Sequence, residues 1–130
     1  MFTLTTKHHF DAAHFLKGYV GKCSNLHGHR WEVVVEVQGN RLDSVGILCD
    51  FGLVRKYLKE ICDKLDHKCL NDIFEFNATA ENLSKYIFDE LAVQWLTLLA
   101  KQNGWISAVT VFESPDSSCE WRPDVDIRQE

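Results

Sequence analysis

The sequence predicts an α+β fold, an antiparallel sheet with two amphipathic helices packed on one face. Three observations carry that prediction. The N-terminal third alternates between faces with period two, and two central blocks repeat apolar residues at helical spacing. Strand-like alternation then returns near the C-terminal end, where the only prolines, Pro115 and Pro123, also lie. With no internal repeat, low-complexity stretch or linker, the 130 residues read as a single domain, 1–130.

From Phe2 to His14 the even positions (Phe2, Leu4, Thr6, His8, Phe10, Ala12, His14) suit one face of a half-buried strand. A glycine-containing loop, Lys17 to Lys22, follows. From His29 to Gln38, Trp31, Val33, Val35 and Val37 share a face, opposite Arg30, Glu32, Glu36 and Gln38. Gly39 to Ser44 turns the chain, and Val45–Cys49 is expected to return as an antiparallel strand. Asp50 is placed to cap a helix whose apolar face is Leu53, Val54, Tyr57, Leu58, Ile61 and Leu65.

Asp66 to Ala78 is irregular. Thr79 is placed to cap a second helix, with Glu81 favourably set in its first turn. Its apolar positions are Leu83, Tyr86, Ile87, Leu91, Trp95 and Leu98, and Asn103-Gly104 is its expected stop. Trp105 to Glu113 reads as a strand, Ser114 to Ser118 as a turn and Cys119 to Arg122 as a closing strand. The order is β-β-β-α-α-β-β.

Composition bounds the function. Hydrophobic residues at 45% and charged residues at 25% suit a globular domain and not a disordered one. Fourteen Lys and Arg against nineteen Asp and Glu give a net charge of −5, which argues against nucleic acid as a partner. Apolar runs such as Val33–Val35 fall far short of a membrane span, and the N-terminal residues lack the pattern of a signal peptide. The five cysteines (Cys23, Cys49, Cys62, Cys69, Cys119) are odd in number, with no C-x-x-C. Reduced thiols in a cytoplasmic protein are expected, with packing as their default role.

Histidine is the unusual residue: five of the six fall within the first 29 positions. In His27-Gly28-His29 the two imidazoles, two apart on a strand, point to the same face, and Gly28 has no side chain to crowd them. His14, ending the first strand, could supply a third nitrogen if the strands are neighbours. Three histidines with an open fourth position is the pattern of catalytic zinc; two partly exposed strand histidines are the plain alternative. His8 and His9 cannot both face the same way, so surface or core polar roles are assigned to them. Cys23 shares its loop with Lys22, and a thiol near a metal and a lysine ionises more readily, to serve as base or nucleophile; an inert thiol is the alternative. Asp66-His67 could form a hydrogen-bonded pair tuning an imidazole near neutral pH. Glu113, closing a strand, could hold the amidine-like edge of a ligand or face solvent.

Phe10-Asp11-Ala12-Ala13-His14, Cys23-Ser24-Asn25-Leu26-His27-Gly28-His29 and Leu65-Asp66-His67-Lys68-Cys69-Leu70-Asn71-Asp72 occur in that order. Thr79-Ala80-Glu81-Asn82-Leu83 and Phe112-Glu113-Ser114 complete the series. Over essentially the whole chain this resembles the 6-pyruvoyltetrahydropterin synthase / 6-carboxytetrahydropterin synthase family. The resemblance implies Zn²⁺ on His14, His27 and His29, Cys23 as catalytic base and Asp66 with His67 as a proton-shuttling pair. It also implies Glu113 as the anchor for the guanidine-like N2/N3 edge of a pterin. The implied fold is the tunnelling fold (T-fold), β-β-α-α-β-β, with a four-stranded antiparallel sheet and two helices on one face. Trimers stacked into hexamers, with sites between subunits, go with it. Two departures are Arg30, where a small polar residue is expected, and Ala78, where proline is expected.

The implied substrate is 7,8-dihydroneopterin triphosphate. Zinc would act as a Lewis acid while Cys23 removes a side-chain proton, and triphosphate leaves by elimination. Two products are open. One is 6-pyruvoyltetrahydropterin; the other, after loss of acetaldehyde, is 6-carboxytetrahydropterin, a precursor of 7-deazaguanines such as queuosine. The short chain and the L-D-H-x-x-L-N-D stretch look closer to the carboxy enzyme. A non-catalytic pterin- or metal-binding member is a further alternative, although Cys23, Asp66 and His67 are all present. A zinc hydrolase ranks last because no H-E-x-x-H occurs.

Overall fold

Two long strands at the N-terminal end set the frame. The computed structural model describes residues 1–97 and 102–124. In it β1 (Phe2–His14) and β2 (His27–Gly39) pair antiparallel along their whole length, from Phe2 opposite Gly39 to His14 opposite His27. After them come α1 (Phe51–Leu65), β3 (Lys68–Cys69), α2 (Ala80–Thr97), β4 (Trp105–Ser114) and β5 (Ser117–Trp121). The sheet order is β3-β1-β2-β4-β5, antiparallel throughout except for the short parallel pairing of β3 with β1. This is the α+β architecture the sequence predicts, with α1 against β1 and α2 against β4 and β5.

The inward face of the sheet carries the expected residues. Phe10, Trp31, Val33 and Val35 are fully buried, and they meet Val54, Leu58 and Leu65 of α1 and Leu83, Ile87 and Leu91 of α2. Burying such apolar side chains is the main favourable term in folding. Both N-caps form as read. Asp50 accepts the Gly52 N–H at 2.7 Å, and Thr79 Oγ1 accepts the Asn82 N–H at 3.1 Å. The helix-face residue Leu98 lies outside the described residues, and α2 is described as far as Thr97, short of the stop expected at Asn103-Gly104. Gly104 has a different constraint. Its φ is +85°, and a Cβ there would come within 2.6 Å of the Gln38 carbonyl oxygen.

One expected strand is absent. Val45–Cys49 forms no ladder because β1 and β4 already occupy both edges of β2. Asp43 instead gathers the segment into a turn, its Oδ1 accepting the N–H groups of Val45 at 2.9 Å and Ile47 at 3.0 Å. Leu48 and Cys49 then bury themselves in the core without strand pairing. The fifth strand is the two-residue β3, inside a segment read as irregular, so the sheet is five-stranded where four antiparallel strands were expected. No helix among the described residues is long and apolar enough to cross a membrane.

Candidate metal and catalytic site

The β1–β2 register creates the site. His14 stands directly opposite His27, and His29 stands opposite Ala12, so three imidazoles share the inward face at one end of the ladder. On β4, Val111 pairs with Val33 on this inward face, and Glu113 lies two residues further along the same side, towards the histidines. The ligand atoms of His14, His27, His29 and Glu113 all lie within 4.8 Å of one another. Trp31 lies beneath, its ring centroid 4.9 Å from that of His14 and 5.2 Å from that of His29.

Hydrogen bonds fix the rings. His14 Nδ1 donates to the Ala78 carbonyl at 2.8 Å, and His27 Nδ1 donates to the Asn25 carbonyl at 2.7 Å. A carbonyl only accepts, so in the neutral rings both protons sit on Nδ1 and both Nε2 atoms carry lone pairs. Those two Nε2 atoms nevertheless face each other at 3.0 Å. Two acceptors at that distance repel unless a cation lies between them. A proton is disfavoured because burial, first of all, pulls the His14 pKa below its ordinary value, and its histidine neighbours add to this. His29 is lowered by burial too, against the opposing pull of Glu113.

The Nε2 of His29 is enclosed and makes no aligned hydrogen bond, although Glu113 Oε1 lies 3.1 Å away. A buried nitrogen without a partner, beside two lone pairs aimed at each other, is the donor set a metal ion completes. The carbonyls behind the His14 and His27 rings are the outer support that metal-binding histidines usually have. The residues present therefore fit a metal. Gly28 plays no part in making room. It faces the opposite side of β2, and a Cβ there would meet only the Ala12 carbonyl, at 3.9 Å.

Asp66 and His67 form the expected pair, but elsewhere. Asp66 follows the last turn of α1; its Oδ1 accepts the Asp11 N–H at 2.8 Å and its Oδ2 accepts from His67 Nδ1 at 2.8 Å. These bonds, the Asp11 amide first, hold the Asp66 carboxyl below its usual range. The His67 N–H donates to the Asp11 carbonyl at 2.6 Å, and the residue adopts φ +57°, strained for a side chain of this size. The His67 ring is 80% exposed, at the β3 edge of the sheet. An open cleft of about 550 Å³ runs past it, with His29, Arg30 and Lys68 also on its walls.

Cys23 lies in a short 3-10 turn (Lys22–Ser24) before β2, half-buried and outside the four-residue histidine and glutamate group. Cys49 and Cys62 are buried, and burial raises their thiols to about 11 and about 12, as inert packing residues should be. His8 is half-buried and His9 exposed, stacked on each other at 5.5 Å and outside the histidine and glutamate group, with His9 close enough to Asp11 and Asp66 to help lower both carboxyls. Sequence reasoning missed the carbonyls of Asn25 and Ala78, for which no side-chain signal exists. It also gave no role to Asn71, quoted only as part of the Leu65–Asp72 motif, or to Asn77, whose only trace was its place in a polar, irregular segment.

A mixed sheet with two helices on one face and three histidines at the end of its first two strands defines a T-fold protein with a metal-type site. The family model for 6-pyruvoyl tetrahydropterin synthase matches residues 3–124, and the chain belongs to that family. The 6-carboxy-5,6,7,8-tetrahydropterin synthase of Bacillus subtilis is 34% identical over 94% of this chain and 86% of its own. The Haemophilus influenzae protein of the same name is 29% identical over 94% of this chain and 99% of its own. Among solved structures, 6-pyruvoyl tetrahydropterin synthase from Caenorhabditis elegans superposes with a TM-score of 0.79. It is 24% identical and covers 95% of this chain and 96% of its own.

Proposed function

We propose that this chain, as one pterin synthase domain over 1–130, is a zinc-dependent lyase. It would convert 7,8-dihydroneopterin triphosphate to 6-carboxy-5,6,7,8-tetrahydropterin, with loss of acetaldehyde and triphosphate. The observation that carries this reading is the His14–His27–His29 group, set in a chain whose relatives at 29% and 34% identity bear the carboxy name. The product would feed 7-deazaguanine synthesis, such as that of queuosine. Five unpaired thiols suit a reducing, cytoplasmic setting.

His14, His27 and His29 hold the zinc, which when bound supplies Lewis acidity towards the substrate's side-chain oxygens. Glu113 accepts two hydrogen bonds from the pterin N2/N3 edge and so orients the ring. Cys23, as thiolate, takes a proton from the side chain. His67, its Nδ1 committed to Asp66, offers Nε2 to carry protons at the departing groups. The pair lies at an exposed sheet edge, which supports a homo-oligomer, trimer or stacked hexamer, whose sites are completed by a neighbouring subunit.

Purified protein given 7,8-dihydroneopterin triphosphate should release acetaldehyde and triphosphate in equal amounts. Pyruvoyl product without acetaldehyde would instead assign 6-pyruvoyltetrahydropterin synthase activity, and pterin binding without turnover a non-catalytic member. In Cys23→Ala, turnover should fall by about 10²- to 10⁴-fold with zinc retained. Unchanged turnover removes Cys23 from the chemistry.

A further inference from the structure

Two carboxamides grip the loop that joins His14 to His27. Asn71 Oδ1 accepts the Phe15 N–H at 2.9 Å while its Nδ2 donates to the Phe15 carbonyl at 2.9 Å. Asn77 treats Lys17 in the same way, accepting its N–H and donating to its carbonyl, both at 2.9 Å. Between them Leu16 sends its N–H to the other side, to the Cys23 carbonyl at 2.8 Å. Residues 15 and 17 are thus held by side chains 56 and 60 positions away, and residue 16 holds the turn that carries Cys23.

The chemistry selects asparagine. A carboxamide offers one acceptor edge and one donor edge, so it can copy the peptide of a neighbouring strand. Asp has no donor, and it would set an anionic oxygen against the carbonyl. Asn77 is itself held, its carbonyl accepting Asn82 Nδ2 at 2.9 Å and the Thr79 N–H at 2.9 Å. The next carbonyl, of Ala78, is the one that orients His14. One segment therefore fixes both a ring of the histidine group and the backbone that reaches Cys23.

We propose that Asn71 and Asn77 are positioning residues that hold the Cys23 turn in place relative to the histidine group. The consequence for turnover rests on the role proposed above for Cys23; the consequence for the loop does not.

Asn71→Asp and Asn77→Asp keep the side-chain size and reverse the donor edge. Four quantities are to be measured: amide hydrogen exchange, alkylation of Cys23 by iodoacetamide, bound zinc, and kcat with KM. Exchange at residues 15–17 should rise by about tenfold or more, and Cys23 should alkylate several-fold faster. The kcat should fall by about tenfold while KM and zinc stay within about twofold. A purely structural role would lower Tm without that kcat-against-KM split. Exchange and alkylation at parental rates would overturn the proposal, whereas a loosened loop with parental kcat would uphold the grip on the turn and overturn the role of Cys23 in turnover. If either Asp variant does not fold, Asn77→Ser, shorter and uncharged, is held to the same outcomes. A parent that makes no product sinks the proposed reaction, yet the exchange and alkylation arms still decide whether the carboxamides hold the turn.

Discussion

The histidine group and the Asp66–His67 pair both use imidazole, but in opposite surroundings. His14 is 1% exposed, oriented by a carbonyl and pressed against two other imidazoles; His67 is 80% exposed, with one carboxylate behind it. Burial disfavours the imidazolium and keeps lone pairs directed at a common point, as the ligand role proposed for His14 requires. Exposure leaves the second ring accessible from solvent, as the proton-carrying role proposed for it requires. The difference teaches that position in the sheet, interior or edge, gives one residue type two different surroundings, each suited to the task proposed for it.

The largest test separates those tasks. In His27→Ala, stoichiometric zinc should disappear and turnover should fall by at least about 10³-fold. In His67→Ala, zinc should remain at parental content while turnover falls by about 10²-fold. Metal analysis beside product assay checks both; zinc lost in the His67 variant would erase the distinction. Next in size is Glu113→Gln. Its carboxylate is 36% exposed and the three imidazoles already supply a set of ligands, so zinc should be kept. KM should rise by about 10- to 100-fold, the worth of a charged hydrogen bond to substrate. Zinc loss would make Glu113 a fourth ligand instead.

Much of this contrast was legible in the sequence. The period-two alternation of β1 and β2 fixes which face His14, His27 and His29 occupy, and Asp66-His67 pair because they are adjacent. What was not legible depends on who is next to whom in three dimensions. Val45–Cys49 has strand-like residues, but both edges of β2, the strand it follows, are taken by β1 and β4, and edge occupancy is a property of the whole topology. The carbonyl of Ala78 orients His14 with an atom every residue possesses. Asn77 looks like an ordinary loop residue, and Asn71 like one letter of a motif, until Phe15 and Lys17 are brought to them.

A smaller effect tests burial itself. Because folding lowers the pKa of His14 and His29, the metal-free folded state binds fewer protons than the unfolded chain once pH drops below about 6.5. This contribution to stability is fully present above that pH and is lost as pH falls towards the depressed folded values. In chelator, Tm should therefore decline between about pH 7 and about pH 5.5, and decline less in His14→Gln. An equal decline in both would show that burial of His14 is not what the acid limb reports.

The smallest expected effect is Arg30→Ser, at the one cleft residue that departs from the family pattern. Arg30 makes a bidentate pair with Asp11, Nε to Oδ1 at 2.9 Å and Nη2 to Oδ2 at 3.0 Å, and pulls the Asp11 carboxyl below its ordinary value. The arginine side chain is 65% exposed, and water screens an exposed pair of this kind so that it contributes little to stability. What orients Asp66 and His67 is the backbone of Asp11, its N–H and carbonyl, and not its carboxylate. Losing Arg30 should therefore lower Tm by only a few degrees, leave zinc unchanged and alter turnover by less than about threefold. A loss beyond about tenfold at parental zinc would mean that the Asp11 carboxylate, once freed, disturbs the pair through its charge. The exposed cluster would then depend on its ion pair as the buried one depends on its carbonyls.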